Sequence, residues 1–113
     1  MAKRVLVVED ESLVAILLED LLADLGCDVV GPAANAADAL AHARRGGVDL
    51  ALLDVNLGDG ATAFALADAL KAMGVPFAFV TGYGIEGVRP DLRDAPVISK
   101  PVDVAALKKL LGG

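Results

Sequence analysis

The stretch Val5-Leu6-Val7-Val8-Glu9-Asp10 joins a short apolar run to two carboxylates that follow it directly. A continuous apolar run of four residues, three of them β-branched, is typical of a strand buried on both faces of a parallel sheet. The two carboxylates end the run too early for the apolar part of a signal peptide. The stretch therefore predicts a buried parallel strand with two acidic side chains at its carboxyl end.

Outward from this stretch, the chain alternates between apolar runs and helical patterns. Further strands are predicted at residues 27–30, 49–53, 77–80 and 97–98, and helices at residues 12–25, 35–45 and 61–73 and from residue 103 onward. Strands that alternate with helices of this length predict a parallel sheet with right-handed crossovers. The fold class that we expect is α/β, an open five-stranded sandwich.

Residues 82–95 interrupt this alternation, because they contain Gly82, Gly84, Gly87 and Pro90. Each interior glycine costs a helix about 1 kcal/mol, and an interior proline costs about 3 kcal/mol. We therefore predict a fourth helix that is short, frayed or mobile.

Composition narrows the classes of protein that are possible. A chain of 113 residues that is 56% hydrophobic predicts one domain, residues 1–113, with a single core. The net charge of -6 argues against nucleic acid as a partner, and the apolar runs are too short to cross a membrane. Cys27, the single cysteine, excludes a disulfide framework and a thiolate zinc site. We expect a cytoplasmic protein with no output domain in the chain.

Polar side chains stand one or two residues after four of the predicted strands. They are Glu9 and Asp10 after the first strand, Asp54 after the third, Thr81 after the fourth and Lys100 after the fifth. Ligands of open parallel sheets bind at the carboxyl ends of the strands. We therefore expect three carboxylates, a hydroxyl and an ammonium group to meet at one edge of the sheet.

Such a cluster of carboxylates indicates a cation. Two carboxylates about 4 Å apart repel by about 4 kcal/mol at an effective dielectric constant near 20. Mg²⁺ relieves this repulsion and is often held by one or two carboxylates together with a phosphoryl oxygen. Asp54 would then attack phosphorus, while Lys100 and Thr81 would stabilise the charge on the transferring phosphoryl oxygens. The pattern predicts a site that accepts a phosphoryl group on Asp54.

Four motifs carry a resemblance to a known family. They are Val-Leu-Val-Val-Glu-Asp-Glu at 5–11, Leu-Leu-Asp-Val-Asn at 52–56, Thr-Gly at 81–82 and Ser-Lys-Pro at 99–101. Over its whole length the chain resembles the receiver domains of two-component response regulators. The resemblance implies a flavodoxin-like (βα)5 fold with strand order 2-1-3-4-5.

The resemblance also implies a role for each site residue. Asp54 would be the phosphoacceptor, Thr81 the switch hydroxyl and Lys100 the cation that binds the phosphoryl group, with a cis peptide bond before Pro101. The implied ligands of Mg²⁺, or of Mn²⁺ in its place, are Asp10 directly, Glu9 through water, Asp54, and the backbone carbonyl of Asn56.

Residues 79–84, Phe-Val-Thr-Gly-Tyr-Gly, resemble the Phe-Ala-Thr-Gly-Tyr signature of a stand-alone receiver subfamily in which the fourth helix is altered. Two positions depart from common receivers, with Gly58 in place of a proline and Val97 in place of an aromatic residue. Without that aromatic ring, its usual coupled rotation with the threonine cannot occur. Our hypothesis is that phosphorylation orders residues 82–95 through Thr81 and the surroundings of Tyr83.

The implied phosphoryl donor is a sensor histidine kinase or a histidine phosphotransfer protein, and the output is a downstream protein target, a relay or a phosphate sink. Such a protein is no enzyme beyond its own phosphorylation and dephosphorylation. The alternative is a receiver-fold adapter that binds partners without phosphoryl turnover. A phosphohydrolase would need an acid/base Asp where Asn56 stands, and a nucleotide-binding protein would need a glycine-rich loop after the first strand.

The first predicted helix is apolar over a wide arc. Leu13, Leu17 and Leu21 form its main apolar face, and Ile16 lies off that face. We interpret Ile16 as an ordinary buried side chain. The alternative is that it docks a helix of a kinase or a phosphotransfer protein.

Overall fold

Five strands form one parallel sheet in the computed structural model, which describes residues 2–57, 63–82 and 84–112. In chain order the strands are β1 Arg4–Val8, β2 Asp28–Ala33, β3 Leu50–Asp54, β4 Phe77–Thr81 and β5 Val97–Ser99. Across the sheet their order is β2-β1-β3-β4-β5, and every neighbouring pair is parallel. The predicted fold class and strand order are confirmed.

β2 is longer than the sequence pattern predicts. We expected it to end at residue 30, but the strand continues through Gly31 and Pro32 to Ala33. Because β2 lies at the edge of the sheet, a proline that lacks an N–H is tolerated there. Gly31 has a φ of 92°, which glycine adopts without strain, and the register with β1 shifts between Leu6 and Val8.

The described residues include four α-helices, α1 Ser12–Asp24, α2 Ala36–Arg44, α3 Phe64–Met73 and α4 Val104–Leu110. Asn35 caps α2, since its side-chain oxygen accepts the Asp38 N–H at 2.9 Å. The predicted start of the third helix, residues 61 and 62, lies outside the described residues. None of the described helices has the length and apolar character needed to traverse a bilayer.

The core lies in two layers, one on each face of the sheet. Side chains of a strand point alternately to its two faces, so β1 contributes Leu6 and Val8 to one layer and Val5 and Val7 to the other. α2 and α3 cover the first layer, and α1 and α4 cover the second. The sheet is thus buried on both faces, as its apolar runs predict, and its polar groups are left at the ends of the strands.

The connection between β4 and β5 contains two short 3-10 helices, Gly84–Gly87 and Pro90–Leu92, in its described residues. The predicted shortness of the fourth helical element is confirmed, whereas its mobility stays a prediction. Val88 and Leu92 are buried in the first core layer and anchor this connection to the body of the domain.

The face of α1 that packs on the sheet differs from the main apolar face that the sequence analysis assigned to this helix. Its buried residues are Ala15, Leu18 and Leu22, at the i, i+3, i+7 spacing of one helix face. Leu13 is 83% exposed, Ile16 is 52% exposed and Leu17 is 46% exposed. The expectation that Ile16 is buried was therefore wrong. α1 carries two apolar stripes, of which the sheet covers only one.

We expect Ile16→Glu to change the free energy of unfolding by no more than about 0.5 kcal/mol, because the side chain is exposed and glutamate favours helices. Leu18→Ala is the matched control on the buried stripe and should cost about 2–5 kcal/mol. Urea unfolding monitored by far-UV circular dichroism measures both variants. A loss in Ile16→Glu comparable to that in Leu18→Ala would contradict the exposed position.

Candidate functional site

The strand order brings the predicted site residues to one edge of the sheet. Asp54 and Thr81 are the last residues of β3 and β4, while Glu9 follows β1 directly and Lys100 follows β5 directly. β1, β3, β4 and β5 are consecutive neighbours in the sheet. The carboxyl ends of these strands therefore place all four side chains together, with Asp10 next to Glu9.

Three carboxylates form a compact cluster at this edge. Glu9, Asp10 and Asp54 each offer one oxygen, and these oxygens lie within 4.8 Å of one another. Glu9 and Asp54 are buried, whereas Asp10 is exposed. Burial strengthens the mutual repulsion of these groups because it removes the screening by water. The cluster is therefore costly to maintain without a cation.

Lys100 supplies part of the compensating charge. Its Nζ lies 3.5 Å from Oε2 of Glu9 and 3.4 Å from Oδ2 of Asp54. Burial lowers the pKa of Lys100, but the charges of Glu9 and Asp54 outweigh it, so the pKa is raised overall. The group is thus an ammonium ion, and this single positive charge faces two buried carboxylates.

Glu9 shows the remaining imbalance. Oε1 accepts the Glu11 N–H at 3.2 Å, whereas Oε2 is buried and accepts no hydrogen bond from the described residues. Burial raises the pKa of Glu9 to about 7, with further contributions from a hydrogen bond to Asp54 and from the charge of Asp54. Among the described residues, Lys100 therefore compensates the charge on Oε2 of Glu9 only in part, because the same ammonium group also lies beside Asp54.

Backbone contacts hold the other groups in place. Oδ1 of Asp54 accepts the Asn56 N–H at 3.3 Å, and the Thr81 carbonyl accepts the Lys100 N–H at 2.9 Å. The peptide bond between Lys100 and Pro101 is cis, as the resemblance implies. Thr81 itself is buried. Gly58 and Tyr83, which the sequence analysis also singled out, lie outside the described residues.

The donor set suits a hard divalent cation. Mg²⁺ takes oxygen ligands, keeps several waters and is commonly bound by one or two carboxylates. Here three carboxylate oxygens converge, one carboxylate is exposed to solvent, and Oε2 of Glu9 lacks a hydrogen-bond donor among the described residues. The residues present therefore fit Mg²⁺.

Sequence reasoning located these side chains but missed their backbone partners. The Glu11 N–H that binds Glu9 and the Asn56 N–H that binds Asp54 are both contributed by the residue two positions later in the chain. Polar groups followed by a turn offer such contacts. No side-chain pattern encodes them, because any residue except proline supplies the N–H.

The chain is similar to several known proteins. It is 36% identical to the phyllosphere-induced regulator PhyR of Methylorubrum extorquens over 118 residues, an alignment that covers 98% of this chain and 43% of PhyR. The solution structure of SdrG from Sphingomonas melonis Fr1 is 41% identical, with a TM-score of 0.86 and coverage of 98% of this chain and 94% of that chain. The BeF3-activated conformation of SdrG from Pseudomonas melonis Fr1 is 41% identical, with a TM-score of 0.85 and coverage of 99% and 97%.

The family comparison agrees with these relatives. The response regulator receiver domain family matches residues 5–112, which extend from β1 past the end of α4. The match includes all three residues of the carboxylate cluster and Lys100. The chain therefore belongs to the response regulator receiver domains of two-component signalling.

Proposed function

We propose that this receiver domain accepts a phosphoryl group on Asp54, in the cytoplasm, from the phosphohistidine of a sensor histidine kinase or a histidine phosphotransfer protein. The observation that carries the proposal is the cluster of three carboxylate oxygens within 4.8 Å at one sheet edge, with the Lys100 ammonium beside it. A purely structural design would avoid this repulsion, whereas a phosphoryl acceptor that uses a divalent cation requires such a cluster.

In the proposed reaction, a carboxylate oxygen of Asp54 attacks the phosphorus atom of phosphohistidine. The new P–O bond forms as the P–N bond breaks, and the imidazole nitrogen keeps the electron pair of the broken bond. The Asn56 N–H at Oδ1 and the Lys100 ammonium at Oδ2 both restrict the orientation of the attacking carboxylate. Such positioning supplies much of the acceleration in phosphoryl transfer.

Lys100 and Thr81 would stabilise the phosphoryl group during transfer. The Lys100 ammonium lies 3.4 Å from the acceptor carboxylate, close enough to neutralise charge on a phosphoryl oxygen bonded there. Thr81 ends the strand next to β3, so its hydroxyl is at the same edge and would donate to a second phosphoryl oxygen. The two groups give the phosphorylated state contacts that the unphosphorylated state lacks.

Bound Mg²⁺ would supply charge neutralisation across the carboxylates and the phosphoryl oxygens. Glu9, Asp10, Asp54 and the Asn56 carbonyl are the residues that would hold it, and Mn²⁺ shares the preference for oxygen ligands. Glu9 and Asp10 do not react. Their role would be to hold the divalent cation that neutralises charge on the phosphoryl oxygens.

The exposed stripe of α1 supports a docking role for this helix. α1 starts at Ser12, two residues after Asp10, so Leu13, Ile16 and Leu17 lie on the helix that leaves the acidic cluster. We propose that a helix of the phosphohistidine protein packs on this stripe and brings its imidazole to Asp54. The phosphorylated protein would then act on a protein target, pass the phosphoryl group along a relay or serve as a phosphate sink.

The test is Mg²⁺-dependent phosphoryl uptake from acetyl phosphate, followed by intact mass spectrometry. We expect the mass to rise by one phosphoryl group with Mg²⁺ and to stay unchanged with a chelator. Asp54→Asn should show no increase under either condition. No uptake from acetyl phosphate by the unaltered protein with Mg²⁺ would contradict the proposal and favour the adapter alternative.

A further inference from the structure

A single arginine ties the connection between β4 and β5 to α3. Nη2 of Arg89 donates to Oδ1 of Asp68 on α3 at 2.6 Å. Nε and Nη2 of the same side chain donate to the two carboxylate oxygens of Asp91, at 2.6 and 3.0 Å. We call Arg89, Asp68 and Asp91 the Arg89 latch. Its planar guanidinium holds two carboxylates that belong to two different parts of the fold.

Aromatic contacts extend the latch toward the strand that carries Thr81. The Arg89 guanidinium lies over the Phe64 ring at 6.0 Å from its centroid. Phe64 packs edge to face against Phe79, with ring centroids 5.9 Å apart. Phe79 is fully buried in β4, two residues before Thr81. The latch therefore rests on side chains that pack directly against the strand ending in the switch hydroxyl.

The latch also joins the two chain segments that leave the acceptor site. α3 is the first described helix after Asp54, and the 84–92 segment, which contains both 3-10 helices, begins three residues after the end of β4. Any movement of Thr81 toward a phosphoryl group on Asp54 acts on the chain that leads into this segment. Asp68 lies on α3 and Arg89 lies within the segment, so their ion pair opposes a relative movement of the two.

Among the described residues, the other hydrogen bonds of the 84–92 segment are local, and in one of them Nε of Arg93 donates to the Val88 carbonyl at 2.9 Å. Its 3-10 turns are closed by the Val88 N–H on the Ile85 carbonyl and the Leu92 N–H on the Arg89 carbonyl. Val88 and Leu92 supply its buried side chains. A 3-10 turn has poorer hydrogen-bond geometry than an α-helix and is readily exchanged for other conformations. Besides its two apolar anchors and the packing of its first 3-10 helix near β4 and β5, the latch therefore ties the segment to α3.

The latch is suited to adjust the position of the segment rather than to stabilise the fold. The side chains of Arg89 and Asp68 are 37% and 51% exposed. Ion pairs with this exposure contribute little to global stability and are screened by salt. Breaking the latch should thus leave the domain folded and alter only the freedom of the segment.

We propose that the Arg89 latch holds the 84–92 segment against α3 in the unphosphorylated protein, and that phosphorylation of Asp54 releases the latch. This is the reverse of the ordering of residues 82–95 that the sequence analysis put forward, because the segment is already folded into two 3-10 helices. The release half of this inference rests on the proposed function. A phosphoryl group that draws Thr81 toward Asp54 shifts the start of the segment, and Arg89 then loses its alignment with Asp68. The released segment is then free to move relative to α3.

Amide hydrogen exchange of residues 84–92 tests the holding half of the inference, that the latch restrains the segment in the unphosphorylated protein. Asp68→Asn should raise exchange rates in the segment roughly threefold, because one of the two carboxylates of the latch loses its charge. Asp20→Asn removes the same charge from an exposed position on α1 and should change nothing in the segment. Arg89→Lys keeps the charge but loses the planar fork, so an intermediate rate is expected.

Salt distinguishes an electrostatic latch from a local structural effect of the substitution. At about 1 M salt the Debye length is near 3 Å, so the unaltered protein should approach the exchange rates of Asp68→Asn, which should itself change little. Equal rates in the unaltered protein and Asp68→Asn at low salt would overturn the holding half. A rise in Asp68→Asn that salt does not reproduce in the unaltered protein would also overturn it.

Hydrogen exchange with bound beryllofluoride, a phosphoryl mimic, tests whether phosphorylation releases the latch. Phosphoryl uptake from acetyl phosphate by the same protein is measured in a separate experiment. With the mimic bound, the segment in the unaltered protein should exchange as fast as in Asp68→Asn. Uptake on Asp54 with unchanged exchange would overturn the release and leave the proposed function intact. Absence of uptake would overturn the proposed function, while the exchange of the unphosphorylated variants would still decide whether the latch holds the segment.

Discussion

Asp54→Asn is expected to abolish phosphoryl uptake and, in the metal-free protein at about pH 8, to raise the free energy of unfolding by roughly 1–2 kcal/mol. The two effects have one origin. Asp54 is one of two buried carboxylates that share the Lys100 ammonium. The oxygen that makes Asp54 an acceptor also carries the charge that destabilises the cluster.

The sign of the stability change follows from counting buried charges. With Asp at position 54, two buried carboxylates face one ammonium, and Oε2 of Glu9 accepts no hydrogen bond from the described residues. With Asn, Lys100 pairs with Glu9 alone, and the amide oxygen can still accept the Asn56 N–H that Oδ1 accepts now. Two carboxylates about 4–5 Å apart repel by about 3–4 kcal/mol at an effective dielectric constant near 20, and the lost attraction of Lys100 to Asp54 cancels part of this gain.

Urea unfolding in the presence of a chelator measures the change. The chain has no tryptophan, so far-UV circular dichroism is the appropriate signal. Asp20→Asn, which removes an exposed charge from α1, should stay within about 0.5 kcal/mol of the unaltered protein. Saturating Mg²⁺ should reduce or reverse the difference in the free energy of unfolding between Asp54→Asn and the unaltered protein, because the variant has lost one metal ligand. A variant less stable than the unaltered protein in chelator would show that the carboxylates do not repel.

The strands were predictable because the sheet is buried on both faces. A strand covered on both sides needs an uninterrupted apolar run, and β1, β3 and β4 differ from their predicted bounds by a single residue at one or both ends. β2 was predicted less well because an edge strand tolerates the Gly31-Pro32 pair that ends a central strand. The apolar face of α1 was misread because two stripes overlap in the sequence, and only tertiary packing decides which one is buried.

The composition of the site was predictable for a related reason. Topology brings the ends of adjacent parallel strands together, so the residue after each run identifies the cluster without any distance being known. What the sequence could not reveal depends on the third dimension. The Arg89 latch joins residues 21 positions apart on separate elements, and the raised pKa of Glu9 arises first from its burial. Neither property leaves a periodic pattern in the chain.

The largest effect of pH on stability should arise from Glu9. Burial, a hydrogen bond to Asp54 and the charge of Asp54 raise the pKa of Glu9 from 4.5 to about 7 in the folded, metal-free protein. Between these two values the folded state binds a proton that the unfolded state has lost. Unfolding then releases a proton, so a rise in pH favours the unfolded state. The stability that the protonated Glu9 provides is complete below pH 4.5 and is lost as the pH rises through about 7.

The expected decrease in the free energy of unfolding across this window is roughly 3 kcal/mol, since each pH unit between the two pKa values corresponds to about 1.4 kcal/mol. Other shifted groups act outside the window. Arg89 lowers the pKa of Asp91 below 3.8, so that contribution is lost only in stronger acid. The pKa values of Cys27 and Lys100 are raised from 9.0 and 10.5, so these two groups affect stability only at higher pH.

Urea unfolding at a series of pH values in chelator tests this directly. Glu9→Gln should remove most of the pH dependence of the free energy of unfolding between about pH 5 and pH 8. Glu19→Gln on α1 should leave that pH dependence unchanged. Mg²⁺ should stabilise the unaltered protein more at about pH 8 than at about pH 5, because the metal and the proton compete for the carboxylate cluster. A metal-free protein whose stability is constant or increases with pH across the window would contradict the role of Glu9. The same buried carboxylate would then be a stable ion pair with Lys100, and the cluster would have no need of a divalent cation.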